Sequence, residues 1–220
     1  GEGADVVEIQ ADDWRTKAAK DARDEARAAG AIPILSARFR ELRTAAWAIT
    51  EQMHDIPDCA AFFEGGQSEA ALIWREGPSW CRALADRLPD RPDAPMFDLK
   101  TTDLSAAPES WDRRLVSEYA FQAAFYMIGA HRLGRRPRAF VFVVAEKEAP
   151  YGVSLLAPDP SLMAAAEEDV QRALRIWERC IKTGEWPGYQ PFIAYVGAPS
   201  WLTNKQAERA LRDETIEETA

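Results

Sequence analysis

The stretch Ala139-Phe140-Val141-Phe142-Val143-Val144-Ala145 constrains the fold most. A run this apolar has no polar face, so a strand here must be covered on both sides, as an inner strand is when helices pack on both faces of its sheet. It is far too short to cross a bilayer, which takes roughly 20 apolar residues. Val153 to Leu156 follow as a candidate partner strand. Upstream, Glu69 to Trp74, Trp80 to Leu88 and Pro95 to Thr102 are separated by Gly77-Pro78 and by the turn cluster Pro89 to Pro95, a pattern that predicts three meander-like strands. Between these and the apolar run, the spacing predicts a helix from about Asp112 to Arg132, with Leu115, Tyr119, Gln122, Ala123, Tyr126 and Met127 on one stripe. The expected fold class is α/β, a mixed central sheet flanked by helices.

The ends of the chain read as helical. Residues 12–29 fit a solvated helix capped at Asp12 or Asp13 and stopped by Gly30. Ser36 is a candidate cap for a second helix in which Phe39, Leu42, Ala46 and Ile49 form one buried stripe; Pro57 breaks it, and a short helix runs to Phe63 before Gly65-Gly66. Residues 1–66 are thus expected as an N-terminal helical segment packed on a core of residues 67–201. Ser161 to Lys182 predicts another helix, ended at Gly184, followed by a turn at Glu185 to Tyr189 and a strand at Phe192 to Val196. Residues 202–220 are expected as a C-terminal helix or tail. Neither GxGxxG nor a P-loop is present, which removes support for nucleotide-binding α/β folds.

A net charge of −9, from 36 acidic and 27 basic residues, argues against a protein that coats nucleic acid through a broad positive field. It leaves room for one that grips a few phosphates in a cleft. Cys59, Cys81 and Cys180 are too widely and irregularly spaced for a closed disulfide set or a zinc knuckle, so reduced, buried thiols are expected. The chain opens at Gly1 without Met, the N-terminus is polar and acidic, and the default expectation is a cytoplasmic protein.

The informative chemistry lies in Met96-Phe97-Asp98-Leu99-Lys100-Thr101-Thr102. Alternation along a strand puts Asp98 and Lys100 on one face, sharing one surface, while Leu99 is expected to enter the core. Any D-x-K in an edge strand would look the same, so the context matters. Asp86 ends the predicted strand Trp80 to Asp86, and a hairpin between the two strands would bring both carboxylates together. Crowded carboxylates are costly without a counter-charge, and a divalent cation with oxygen ligands removes that cost. On the following helix Gln122 and Tyr126 stand four apart, hence on one face, able to point at what the strand presents.

Together these residues resemble the PD-(D/E)XK nuclease superfamily, and within it the RecB-like and RecE-like phage-type exonucleases such as exodeoxyribonuclease VIII. The resemblance rests on Cys81-Arg82-Ala83-Leu84-Ala85-Asp86, on Phe97-Asp98-Leu99-Lys100-Thr101-Thr102, and on Gln122-Ala123-Ala124-Phe125-Tyr126, which is similar to the QxxxY motif of RecB-type nucleases. Phe140 to Glu146 is similar to the family's buried strand; Glu185-Trp186-Pro187 and Pro199-Ser200-Trp201 are similar to a C-terminal signature of RecE-type proteins. The likeness extends over roughly residues 36–201.

That resemblance implies a Mg²⁺-dependent DNA exonuclease, with Mn²⁺ as a substitute, degrading duplex DNA 5′-to-3′ from free ends in phage-type recombination. It further implies a single-strand annealing protein as partner and a ring-like homo-oligomer. Asp86, Asp98 and the Leu99 carbonyl would hold the metal, Lys100 would orient the attacking water and stabilise charge on the phosphorane, and Gln122 and Tyr126 would position the water, Lys100 or the strand end. The alternatives are a single-strand-specific or endonucleolytic relative, and a catalytically silent DNA-binding module that retains the fold.

Two positions depart from the family's pattern. Ala85 stands before Asp86 where relatives usually carry Pro, and no residue matches the upstream metal-binding His with confidence; His54, 32 positions before Asp86, fits better as a structural residue. Glu69 resembles a family Glu near the site and is expected to support it rather than bind metal. Arg113, Arg114, Arg132, Arg135, Arg136 and Arg138 flank the long helix as candidate phosphate contacts, with solvated helix ends as the simpler account of most of them. Eight Trp residues offer stacking surfaces for bases, and most are expected in the core.

Overall fold

A computed structural model describes residues 4–189 and 191–218, with the backbone alone over 211–218. The chain forms two units, residues 1–182 and 183–220.

The first unit opens with a parallel pair, β1 (Val6–Ile9) and β2 (Ile32–Leu35), joined by helix α1 (Lys17–Ala28). The first third of the chain is therefore not all helical. Two four-residue strands carry little periodic signal, and Pro33 is tolerated because each strand of a two-stranded sheet has a free edge. The α1 cap is Thr16, whose side chain accepts from Ala19 N, because Asp13 is engaged in a local turn onto Arg15 N. Helix α2 (Ser36–Asp55) starts at Ser36, whose hydroxyl donates to Ile9 O instead of capping; Leu35 holds the cap position without a side-chain bond. A 3₁₀ turn at Pro57–Cys59 and α3 (Ala60–Phe63) complete this region.

The main sheet comprises β3 (Gly66–Glu76), β4 (Ser79–Pro89), β5 (Met96–Thr102), β6 (Phe140–Glu146) and β7 (Val153–Leu156), in that spatial order. β3 and β4 pair antiparallel, β5 and β6 parallel, β6 and β7 antiparallel. The parallel pair requires a crossover, supplied by α4 (Pro108–Arg114), a π-helical turn at Leu115–Tyr119 and α5 (Ala120–Arg132). Helical structure thus starts earlier than the apolar stripe indicated, with Pro108 in the first turn, where its missing N–H costs nothing.

β6 is covered on both sides, as its sequence requires. Phe140, Phe142 and Val144 join Met96, Ala123, Met127 and Ala130 under α5, while Val141 and Val143 join Phe97, Met53 and Cys59 under α2 and α3. Ala120 and Ala124 of α5 pack on Ala166 and Val170 of α6 (Pro160–Thr183). All three cysteines are free and buried, and burial pushes the Cys59 thiol up to about 11.

In the second unit, residues 192–196 are not a strand, and α7 (Ser200–Glu218) is helical. A strand persists only where a neighbour takes its backbone hydrogen bonds, and among the described residues none pairs with this segment. Residues 219 and 220 of the expected C-terminal helix or tail lie outside the described residues. No described helix is long and apolar enough to cross a membrane.

Candidate active site

The site is built where the sheet opens. The ladder between β4 and β5 has one registered pair, Arg87 with Phe97. One step further Asp86 comes opposite Asp98, and the Asp86 carboxylate itself accepts the Leu99 N–H at 2.7 Å, so a side chain replaces the next backbone rung. On β3 the residue facing Asp86 by the same count is Glu69, with a left-handed backbone (φ 50°); it is exposed and sits inside the strand, which opens at Gly66.

Alternation along β5 turns Asp98 and Lys100 toward the α5 side, beside Phe142 and Val144 of β6, but Leu99 is exposed and does not enter the core as expected; it is Asp98 that is buried. Asp98 is 2% exposed. Gln122 Nε2, from the first turns of α5, donates to its Oδ1 at 2.7 Å, and the Lys100 ammonium contacts Oδ2. The Lys100 Nζ also lies 5.2 Å from the Tyr119 ring centroid and 5.8 Å from that of Phe142, within cation–π range of both.

Burial, above all, pushes the Asp98 carboxyl above the usual carboxylate range, and the negative charge of Asp86 pushes the same way; contact with Lys100 and the Gln122 hydrogen bond oppose it. Oδ2 is buried and accepts no well-directed hydrogen bond, although it touches the ammonium. A buried carboxylate oxygen in that condition, across from a second carboxylate, has the donor chemistry a hard divalent cation takes. The Asp86 and Asp98 carboxylates therefore fit such an ion. Among the described residues no third His, Cys, Asp or Glu joins them.

The other sequence candidates lie elsewhere. Tyr126 packs edge-on against Phe140, ring centroids 5.8 Å apart, and among the described residues makes no hydrogen bond to Asp98, Lys100 or Gln122. His54 stacks on Phe63 at 3.8 Å, the structural role expected of it. Most of the arginines serve the fold. Arg132 grips Glu76 through two bonds of 2.6 and 2.9 Å, Arg135 donates to Pro89 O, Arg136 to His131 O, and Arg138 lies 3.9 Å from Asp58.

Two residues, Tyr119 and Trp111, went unnoticed as site residues, and Arg114 was singled out only as a candidate phosphate contact. Tyr119 stacks on buried Trp111 (5.5 Å, 14°), and the Arg114 guanidinium lies over both rings at 5.8 and 4.6 Å. The available signal was Tyr119's position three residues before Gln122, on the same helix face. The intervening π-turn hides Trp111, and the placing of Arg114 beside Tyr119, from a regular 3.6-residue count; such turns recur at functional sites.

No curated protein matches the chain. Among solved structures, a protein of Eubacterium rectale, provisionally described as an exonuclease, shares the fold with a TM-score of 0.50 and 14% identity, over 83% of this chain and 71% of the other. A family model described as a PDDEXK-like domain of unknown function, DUF3799, matches residues 34–198, well over half of the chain and the whole of the main sheet. The protein is thus a member of the PDDEXK-like domain family, in keeping with its mixed five-stranded sheet and the clustered Asp86, Asp98 and Lys100.

Proposed function

We propose that the chain is a divalent-metal-dependent deoxyribonuclease, acting as an exonuclease on duplex ends. The observation that carries this reading is the convergence of Asp86 and Asp98 from adjacent strands beside the Lys100 ammonium, with a buried Asp98 oxygen left without a directed hydrogen bond. A silent module would have no use for the charge burial that this cluster entails.

Asp86, Asp98 and the Leu99 carbonyl would hold Mg²⁺ or Mn²⁺, whose positive charge would polarise the phosphodiester and lower the pKa of the attacking water. Gln122 fixes the Asp98 carboxylate through Oδ1 and so aims Oδ2. Lys100, held against the Tyr119 and Phe142 rings, orients the water and offsets charge as it develops on the phosphorane. The motif resemblance supports 5′-to-3′ action, a role in phage-type recombination, an annealing partner and a ring-like homo-oligomer as parts of this proposal.

A time course on duplex DNA labelled at the 5′ or the 3′ end, with and without Mg²⁺, tests it. Metal-dependent loss of the 5′ label ahead of the 3′ label is expected, and closed circular DNA is expected to survive. Rapid nicking of the circle would refute end-dependence while keeping the nuclease.

Metal binding is also expected to stabilise the fold. At a hundred times its Kd a cation adds about 2.7 kcal/mol, which for a chain of this size is roughly 5–11 °C in Tm. Differential scanning fluorimetry should show that rise for the parent and none for Asp98→Asn. A parent protein that melts at the same temperature with and without Mg²⁺ or Mn²⁺ contradicts a ready cation site.

A further inference from the structure

The N-terminal half of α2 is exposed over most of its surface, Leu42 and Ala46 of the expected buried stripe included, in contrast to its C-terminal half, where Ile49 and Met53 enter the core. Arg40, Arg43, Thr44 and Trp47 follow the i, i+3, i+4, i+7 spacing of a single helical stripe, and they line a shallow groove of about 530 Å³. Trp47 is 66% exposed, a large apolar surface to leave in water. It also departs from the sequence expectation that most Trp residues are core: Trp74 and Trp111 are the buried ones.

The charge of this half-helix is opposite to that of the protein. Arg38, Arg40 and Arg43 stand against Glu41 alone between Ser36 and Thr50, in a chain of net charge −9. Arg38 is paired with Glu41 at 3.0 Å, whereas Arg40 and Arg43 have no acidic partner among the described residues; Arg43 lies over the Phe39 ring at 5.8 Å. Further along α2, Gln52 donates to Tyr151 O at 2.9 Å, in the turn between β6 and β7. That bond seats the C-terminal half of α2 against this turn.

From this stripe we infer that α2 is a docking surface for single-stranded DNA, with Arg40 and Arg43 on successive phosphates and a base stacked on Trp47. Two free guanidinium groups match the phosphate backbone, and an indole open to solvent matches an unstacked base, whose face a duplex would hide. The inference rests on the proposed nuclease function for the class of ligand only; it needs no metal and no cleavage.

Anisotropy of a fluorescently labelled oligothymidylate with the full chain in EDTA tests it. Trp47→Ala is expected to weaken binding about 5- to 150-fold, the range of one base–aromatic stack, and Trp47→Phe to restore most of it. Arg40→Ala/Arg43→Ala should lower the slope of log K against log salt by about 1.4, from about 0.7 per phosphate contact on single strands. Unchanged affinity and slope in both variants, or no binding by the parent, overturns the inference. So does loss of a parent dimer in Trp47→Ala on gel filtration, which would make the stripe a contact between copies. Cleavage in Mg²⁺ separates the two readings. A parent that degrades DNA while Trp47→Ala binds normally refutes the docking surface alone; a parent that binds through Trp47 and never cleaves refutes the nuclease alone.

Discussion

Asp98→Asn is expected to lower DNA cleavage about 10³-fold or more while the protein stays folded. The substitution keeps the shape of the side chain and its Oδ1, so Gln122 retains an acceptor. It removes the negative charge that would hold the cation, and it leaves Lys100 without its counter-ion. The stability consequence can be given a sign. Burial raises the Asp98 carboxyl above its ordinary range, so ionising it costs the folded protein stability as pH rises through that elevated pKa. A neutral Asn is spared the cost, and the variant should compare better with its parent at pH 7 than near pH 4. End-labelled digestion in Mg²⁺, together with thermal melts of the metal-free proteins at both pH values, checks each part. A variant that cleaves at the parental rate would remove Asp98 from the chemistry.

The second large effect is structural. A Cβ on Gly129 would lie 2.6–2.8 Å from three ring atoms of Trp74, so α5 is seated on β3 more closely than any larger residue allows. Trp74 is itself buried and tilted against Phe125 at 4.8 Å, which leaves its ring little freedom to move. Gly129→Leu is expected to cost about 1–3 kcal/mol from overpacking, or roughly 2–12 °C in Tm. Gly129→Ala should cost less, since Ala recovers about 1 kcal/mol of helix propensity relative to Gly. The same helix presents Gln122 to Asp98, so cleavage by Gly129→Leu should fall even below its melting temperature. A parental melt would show that α5 and Trp74 do not meet this closely.

Where one feature dominated the physics, the sequence was legible. β6 had no polar face and could only be an inner strand; alternation alone put Asp98 and Lys100 together; the hairpin reading of β4 and β5 brought Asp86 across from Asp98. Where several weak terms compete, it was not. β1 and β2 are too short to show a period, and Ser36 and Asp13 bond to Ile9 O and Arg15 N in place of the helix ends they were expected to cap. Tyr126 illustrates a geometric limit. It shares a helix face with Gln122, but one turn along α5 reaches Phe140, whose partner on β5 is Met96 rather than Asp98. The π-turn at Leu115–Tyr119 shifts the phase of what precedes it, and so concealed Trp111 and the nearness of Arg114 to Tyr119. The outward-facing Trp47 and Trp80 have apolar neighbours in sequence, which made them look internal.

The bond from Leu99 N–H to the Asp86 carboxylate gives one acidic group two employments. It is a clasp between β4 and β5 as well as a prospective cation holder, so a replacement of Asp86 that has no acceptor oxygen, such as Ala, would loosen the sheet along with removing the charge. Dissection of this centre by mutagenesis is cleanest at Asp98, where a neutral look-alike alters the charge and spares the clasp.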